Sequence, residues 1–259
     1  MTKESILSGL ETTWAGCEII YFDETDSTNR QARMLAREGA AHGTLVIADT
    51  QSAGRGRRGR GWISPAGEGI FMSLIVRPQV HPSQVAKLSL MLALAVAKAI
   101  ERETGLDARI KWPNDIVIKG RKVCGLLLEM DATQERVESI VAGVGINVHQ
   151  TVFEEEIAQT ASSLDLLAGR RVSRSAIVRA FLMEFERAMV LADDAMMDAY
   201  RALSATIGQR VQVIGLDGTY IGRATGITQS GSLLVEDEAG EMREVLAADV
   251  SVRGIMGYV

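Results

Sequence analysis

The sequence predicts an α+β protein with a larger domain over residues 1–205 and a small all-β domain over residues 206–259. In the larger part, apolar β-branched runs alternate with segments whose apolar residues recur at helical spacing. From Ile207 onward the helical spacing ends, and short apolar runs are separated by Gly, Asp and Ser turns. Such a run of short strands in about 50 residues is typical of a small SH3-like β-barrel.

Strands are predicted in the larger domain wherever short apolar or β-branched runs occur. They cover residues 44–48, 70–76, 108–112, 115–118, 123–129 and 137–148. Helices are predicted over residues 29–37, over residues 82–103, and along an apolar face that runs from Ser173 towards Leu203. In the small domain, strands are predicted over residues 211–214, 222–227, 233–235 and 245–252.

A hairpin is predicted around the Lys119-Gly120-Arg121 turn, because glycine suits a tight bend between two apolar runs. Its first strand begins at Asp115, and Lys122 follows the turn. If the hairpin forms, the carboxylate and the ammonium group lie near one another.

Composition excludes several classes of protein. Hydrophobic residues make up 47% of the 259 residues and charged residues 24%, which is close to the average of self-folding globular proteins. A net charge of -5 argues against broad nucleic-acid binding, which normally needs a basic face. The apolar tract from Leu88 to Ile100 is far shorter than the ~20 residues that cross a bilayer, so it indicates a buried helix and no membrane partner.

Cysteine and histidine usage favours a reduced compartment without a fixed metal. Cys17 and Cys124 are far apart and show neither disulfide nor zinc spacing, which is typical of a cytoplasmic protein. The three histidines are scattered, and we predict no metal-ligating residues. The N-terminus has no basic region followed by an apolar run, so no secretory signal is expected.

The octet over residues 54–61, Gly-Arg-Gly-Arg-Arg-Gly-Arg-Gly, is the most distinctive segment of the chain. Glycine lets backbone N–H groups approach a ligand closely, and arginine fits phosphate and carboxylate oxygens with a planar, permanently charged group. The loop therefore indicates a local anion site. Taken alone, such a short basic run is also consistent with an ordinary solvated turn.

Three further segments have ordinary explanations when each is taken alone. Lys111-Trp112-Pro113-Asn114-Asp115 reads as a sharp Pro-Asn-Asp turn. Asp26-Ser27-Thr28-Asn29 reads as a helix cap, and Lys122 as a solvated hairpin residue.

Together, however, these segments resemble the catalytic core of biotin protein ligases. The matching segments, in the same order, are Asp26-Ser27-Thr28-Asn29, residues 51–60, Lys111-Trp112-Pro113-Asn114-Asp115, Arg121-Lys122-Val123-Cys124-Gly125 and Gly143-Val144-Gly145-Ile146-Asn147. The resemblance covers residues 17–200 and, more loosely, the terminal β segment. It implies a mixed β-sheet catalytic domain with flanking helices, like that of class II synthetases.

The resemblance implies an ATP-dependent ligase that forms biotinyl-5'-AMP and transfers the biotinyl group to a lysine of a biotin carboxyl carrier protein domain of an acyl-CoA carboxylase. ATP and biotin are then substrates, and Mg2+ arrives with the nucleotide. Because a carboxylate is a poor acylating agent, it must first be joined to AMP. That step brings two anions together, which requires cations around the reacting atoms.

The resemblance also implies a role for each matching residue. Biotin and biotinyl-AMP would be held by Ser27, Thr28, Asn29, Gln51, Gly54, Arg55, Gly56, Arg57, Lys122 and Gly125. The catalytic residues would be Lys122, Arg57 and Asp115, and the nucleotide-binding residues Trp112, Asn114 and Asn147. Asp115 would either orient Mg2+ or accept a proton from the incoming lysine. The Gly/Arg loop, disordered without ligand, would close over the adenylate and shield it from water.

Two alternatives use the same residues. A lipoate or octanoate ligase shares the fold, although the Gly/Arg loop favours the biotin branch. A nucleic-acid-binding module would use the arginines on phosphates, but the acidic residues of the small domain would repel a polyanion. About 16 residues precede Cys17, too few for an N-terminal DNA-binding domain, so no DNA partner is expected. A homodimer through an exposed strand edge is left open.

Overall fold

The computed structural model describes residues 1–215, 218–247, 251–254 and 258. The strands of its large sheet are β1 (Glu18–Thr25), β2 (Thr44–Gln51), β3 (Gly69–Val76), β4 (Arg109–Lys111), β5 (Asp115–Ile118), β6 (Arg121–Ala132) and β7 (Val137–Asn147). They lie in the order β1-β2-β3-β7-β6-β5-β4. The β1 and β2 strands are parallel and the other neighbouring pairs are antiparallel, so the sheet is mixed.

Helices cover both faces of this sheet. They are α1 (Lys3–Leu7), α2 (Thr28–Arg37), α3 (Val85–Thr104), α4 (Leu164–Ala168), α5 (Arg174–Met189) and α6 (Asp193–Leu203), with 3-10 turns at Arg57–Gly59 and Pro82–Gln84. Side chains alternate along a strand. Leu45 and Ile47 therefore join the main core, to which α3 and α5 contribute, while Val46 packs with Ala32 and Ala36 of α2 on the opposite face.

The stretch Pro82–Thr104 is long and apolar enough to cross a membrane by length and composition alone. Most of it is buried in the fold, where α3 packs against α5 and the sheet. It therefore has the environment of a core helix, as predicted for the apolar tract.

A second sheet follows in the C-terminal part. Its strands are β8 (Arg210–Gly215), β9 (Gly218–Ile227), β10 (Leu233–Asp237), β11 (Met242–Val245) and β12 (Ser251–Gly254), and they pair antiparallel in the order β11-β10-β9-β8-β12. The sheet contacts the larger domain at Trp112, whose backbone N–H donates to Thr206 Oγ1 (2.9 Å). The indole N–H of Trp112 donates to the carbonyl of Gly231 (3.0 Å).

The predicted hairpin is confirmed. Its turn consists of Lys119 and Gly120, whose φ angles of 50° and 73° are those of a primed turn that matches the strand twist. Arg121 already belongs to β6, which continues to Ala132 and is longer than predicted.

Other boundaries differ from the prediction. The apolar segment after Ser173 forms two helices rather than one, because the chain is extended at Ala192 between α5 and α6. The predicted strand over residues 245–252 is likewise divided between β11 and β12, and residues 248–250 lie outside the described residues. The β1 strand was not predicted, since it lies at the sheet edge and its side chains are mostly half-buried or exposed.

Candidate active site

The β5–β6 hairpin brings two of the predicted catalytic residues into contact. Lys122 Nζ lies 2.7 Å from Asp115 Oδ1. The side chains of Asp115 and Lys122 are 14% and 26% exposed, so the pair is largely shielded from water but can be reached from one side. The other carboxylate oxygen, Asp115 Oδ2, accepts a hydrogen bond from the hydroxyl of Tyr258 (2.5 Å).

The Gly/Arg loop is held by hydrogen bonds between its own backbone groups. Gly56 N–H donates to Arg60 O (2.7 Å) and Trp62 N–H donates to Gly54 O (2.9 Å), so the loop folds back on itself. Arg58 adopts a left-handed φ of 57° within the turn. These hydrogen bonds define the conformation of the loop in the structure, and its disorder without ligand stays a prediction.

Arg57 points from this loop to the hairpin and to the C-terminal part. Its Nη1 donates to Asn114 Oδ1 (3.0 Å), and its Nη2 donates to the carbonyl of Ala247. Desolvation by burial lowers the pKa of the Arg57 guanidinium, an effect that the nearby Asp115 carboxylate opposes. A half-buried cation of this kind gains more from an anionic partner than a fully exposed one would.

The start of α2 and the end of β2 meet at Thr28 and Gln51. The backbone N–H and the hydroxyl of Thr28 both donate to Gln51 Oε1 (2.8 and 3.1 Å), and Gln51 Nε2 donates to Ser64 Oγ (2.9 Å). Ser27 is buried, and its side chain does not cap the helix. The polar groups of Thr28, Gln51 and Ser64 thus fix the orientations of one another.

A second network fixes Asn29. Its Nδ2 donates to Glu129 Oε2 (2.9 Å), while its Oδ1 lies 2.6 Å from Ser73 Oγ. Glu129 also pairs with Arg55, with 3.2 Å between Oε1 and Nη1. Both polar atoms of the Asn29 amide thus have partners within the protein, which fixes the orientation of this side chain. A Cβ at Gly143 would lie 2.0 Å from Asn29 Oδ1, so this position requires glycine.

Two opposed glycines form a cradle beneath the ring of Trp62. Gly125 and Gly145 are paired across β6 and β7. A Cβ at Gly125 or Gly145 would lie 2.8 or 2.7 Å from the indole ring. Trp62 Nε1 is buried and has no hydrogen-bond partner among the described residues, although buried tryptophan N–H groups usually find one. The unpaired N–H points to an acceptor on a ligand.

Gly54 also depends on its lack of a side chain, because a Cβ there would lie 2.3 Å from the Trp62 carbonyl oxygen. At Gly56 the nearest atom is 3.4 Å away, so the structure tolerates a side chain there.

The predicted nucleotide residues have different environments. Asn114 donates to Leu126 O (2.7 Å) and accepts from Arg57, and Asn147 donates to Ser162 O (3.1 Å). The placement of Trp112 beside a nucleotide is not supported by the structure. Its side chain is 1% exposed and its indole N–H is used by Gly231. Trp112 therefore links the large sheet to the C-terminal sheet from within the core. Its peptide bond to Pro113 is cis.

Sequence reasoning missed several residues of this site. They are Trp62, Ser64, Ser73, Glu129 and Tyr258. Ser73 could have been found, because it is the one hydroxyl in the apolar strand Gly69–Val76. Trp62 directly follows the Gly/Arg octet and could also have been found from the sequence. Nothing near Tyr258 in the sequence predicts its contact with Asp115.

No group of three or more His, Cys, Asp or Glu residues that could hold a metal is found in the part of the chain that the structure describes. Asp115 is the carboxylate at the cationic cluster. This donor set fits Mg2+ bound mainly through substrate phosphates, because Mg2+ commonly uses one or two protein carboxylates together with phosphate oxygens.

The mixed sheet, the glycine-lined recess and the cations at its end define a ligase that activates carboxylic acids. The chain belongs to the biotin/lipoate A/B protein ligase family, whose profile matches residues 21–147, and residues 206–253 match the biotin protein ligase C-terminal domain. The "Bifunctional ligase/repressor BirA" of Bacillus subtilis is 38% identical over 97% of this chain and 79% of its own length.

Two further proteins support this assignment. A Mycobacterium tuberculosis "Biotin--[acetyl-CoA-carboxylase] ligase" is 35% identical over 94% of this chain and 91% of its own length. The solved biotin protein ligase of Aquifex aeolicus in complex with biotin and ATP superposes with a TM-score of 0.79, with 28% identity over 92% of this chain and 99% of that one. The predicted fold class is confirmed by this likeness.

Proposed function

We propose that this chain activates biotin with ATP and transfers the biotinyl group to a lysine of a carboxylase carrier domain. The observation that carries the proposal is the arrangement of Lys122, Arg57 and Asn114 at one end of a recess lined by paired glycines. Family membership and the names of the relatives favour biotin over lipoate as the acid. The C-terminal match to the biotin protein ligase domain points the same way.

The first half-reaction joins two anions. A biotin carboxylate oxygen attacks the α-phosphorus of ATP, the bond to the β-phosphate breaks, and pyrophosphate leaves with both bonding electrons. Two unit charges 4 Å apart repel by about 4 kcal/mol at an effective dielectric constant near 20. Lys122 and Arg57 are placed to offset this repulsion as charge grows on the phosphoryl oxygens.

In the second half-reaction the carrier lysine attacks the acyl carbon. A C–N bond forms, the C–O bond to AMP breaks, and the nitrogen loses a proton. Asp115 lies where it would either accept this proton or help hold Mg2+ on the nucleotide. When bound, Mg2+ would neutralise charge on the departing pyrophosphate.

Biotin itself is assigned to the site beside Trp62. The glycines at 125 and 145 let the indole of Trp62 lie against the sheet, and this ring offers biotin an aromatic surface and an unpaired N–H. Thr28 and Gln51 supply the polar groups that a ureido ring requires once it is buried. Asn114 and Asn147 are assigned to the nucleotide.

Arg57 is proposed to retain the adenylate. In the structure its donors are used by Asn114 and the Ala247 carbonyl, both neutral acceptors that a phosphate oxygen would replace favourably. Arg57→Ala should therefore release biotinyl-AMP at least 10-fold faster than the native chain, measured by filter binding of labelled adenylate. The matched control is Arg60→Ala in the same loop, because Arg60 is exposed. Equal release rates for the two variants would contradict this role.

The proposed organisation places catalysis in residues 1–205 and a smaller supporting domain in residues 206–259. We place the reaction in the cytoplasm, because ATP and reduced thiols are available there. A homodimer through an edge strand of the large sheet, β1 or β4, is a separate proposal, to be tested by analytical ultracentrifugation with and without biotinyl-AMP.

The decisive experiment is biotin-dependent exchange of labelled pyrophosphate into ATP, with lipoate and octanoate as alternative acids. Exchange with biotin alone is expected. Lys122→Ala should abolish it, whereas Lys119→Ala, at the exposed turn of the same hairpin, should not. Exchange with lipoate and none with biotin would overturn the assignment of the acid.

A further inference from the structure

Tyr258, one residue before the end of the sequence, contacts the catalytic hairpin. Its hydroxyl donates to Asp115 Oδ2 (2.5 Å). Its ring lies beneath Lys111, whose Nζ is 3.4 Å from the ring centroid. Lys111 is itself buried, so this cation packs on the ring with little water around it. The far end of the chain thus reaches the Asp115–Lys122 pair.

The two oxygens of Asp115 are held from two directions. Lys122 Nζ lies 2.7 Å from Oδ1, and the Tyr258 hydroxyl binds Oδ2. A carboxylate held by an ion pair alone can rotate about its Cβ–Cγ bond, and the hydrogen bond from Tyr258 to the other oxygen restricts this rotation. Hydrogen bonds to an ionised acceptor are also stronger than neutral ones. The phenol therefore fixes the plane of the carboxylate and, through it, the position of the Lys122 ammonium.

Another contact shows that the C-terminal part meets this site. The Ala247 carbonyl accepts a hydrogen bond from Arg57. Both Arg57 and Asp115 consequently have one partner from the larger domain and one from the C-terminal part. This arrangement links the C-terminal part to the orientation of the reacting groups.

We propose that Tyr258 is a positioning residue for adenylate formation and acts through Asp115. This inference rests on the proposed function. Tyr258→Phe removes the hydroxyl and keeps the ring beneath Lys111, so it is the informative substitution. We expect kcat of biotin-dependent pyrophosphate exchange to fall about 10- to 100-fold, the usual effect of losing a hydrogen bond to a charged group. KM for biotin should change less than about 2-fold, because Tyr258 does not line the biotin recess.

The matched control is Tyr220→Phe in β9. Tyr220 is half-buried, and its ring contacts Arg243, away from the hairpin. This variant should behave as the native chain does. A native rate for Tyr258→Phe, or an equal loss for both variants, would overturn the proposal.

A double-mutant cycle separates positioning from a structural role. In an Asp115→Asn chain, Tyr258→Phe should have almost no further effect, because the carboxylate that it orients is gone. The same cycle is measured with the calorimetric affinity for a non-hydrolysable biotinyl-AMP analogue. Variants whose exchange rate is too low to measure then still give a binding affinity. Additive effects in the calorimetric cycle would overturn the proposal. A native chain without any exchange would refute the proposed function instead, and the two failures are therefore distinguishable.

Discussion

Gly145→Ala should weaken biotin binding through a single added methyl group. An ideal Cβ at this position lies 2.7 Å from two atoms of the Trp62 indole, Cε2 and Nε1. Carbon atoms normally approach to about 3.5–4.0 Å, so the ring must shift by roughly 1 Å. The backbone of β7 is held by pairing with both β3 and β6, and the tryptophan side chain is therefore the part that moves.

Overpacking of this kind costs about 1–3 kcal/mol. If Trp62 packs on bound biotin, most of that cost appears when the ligand needs the ring in its original position. Biotin affinity should then fall about 5- to 150-fold, since each 1.4 kcal/mol is a factor of ten.

The assay is KM for biotin in pyrophosphate exchange, together with calorimetric biotin affinity and the melting temperature. The control is Gly226→Ala in β9, where the nearest atom to an added Cβ is Leu234 Cδ1 at 3.7 Å, an ordinary contact. The control should keep the native KM. A folded Gly145→Ala chain with a native KM and native affinity would refute the placement of biotin beside Trp62.

Two further predictions concern stability and thiol reactivity. Hydrogen bonds from Arg33 and Arg37 lower the pKa of Asp131 from 3.8 to about 2. Because the folded-state pKa is depressed, this stabilisation is present above about pH 4 and is lost as the pH falls towards 2. Asp131→Asn should lower the free energy of unfolding at pH 7, measured with urea, by about 1–2 kcal/mol. This figure allows for solvent screening of the partly exposed arginines. If the difference between the native chain and the variant did not decrease as the pH falls, the proposed cause would be contradicted. Burial raises the pKa of the Cys124 thiol, whereas Cys17 is exposed, so a thiol reagent should label Cys17 alone in the native chain and label both residues in denaturant. Rapid native labelling of Cys124 would contradict its burial.

The sequence predicted contacts within the site where a local structural signal, such as a turn or a helix start, lies next to the functional residue. The contact between Asp115 and Lys122 follows from a hairpin that a single glycine turn could predict. Thr28 and Gln51 were assigned together by resemblance, and the structure shows them in direct contact. These contacts are set by strand pairing and a helix start, both of which have local sequence signals.

Contacts that depend on tertiary packing were not predictable in this way. Trp112 was assigned to the nucleotide by resemblance, yet a side chain in an extended segment can point into the core as readily as into a site. Trp62 was overlooked because the residues that define its place in the site are distant from it in the sequence. Its importance comes from two glycines on other strands, which create the space that its ring covers.

The loop conformation connects these observations to catalysis. In the structure Arg57 is oriented by Asn114 and by the Ala247 carbonyl. A guanidinium held near its working position loses less conformational entropy on binding the adenylate than one on a disordered loop would. Binding of the adenylate at Arg57 would exchange these two neutral acceptors for anionic oxygens. That exchange predicts that weakening the Asn114 contact, for example with Asn114→Ala, speeds release of the adenylate less than Arg57→Ala does, because the charge that binds the phosphate is retained.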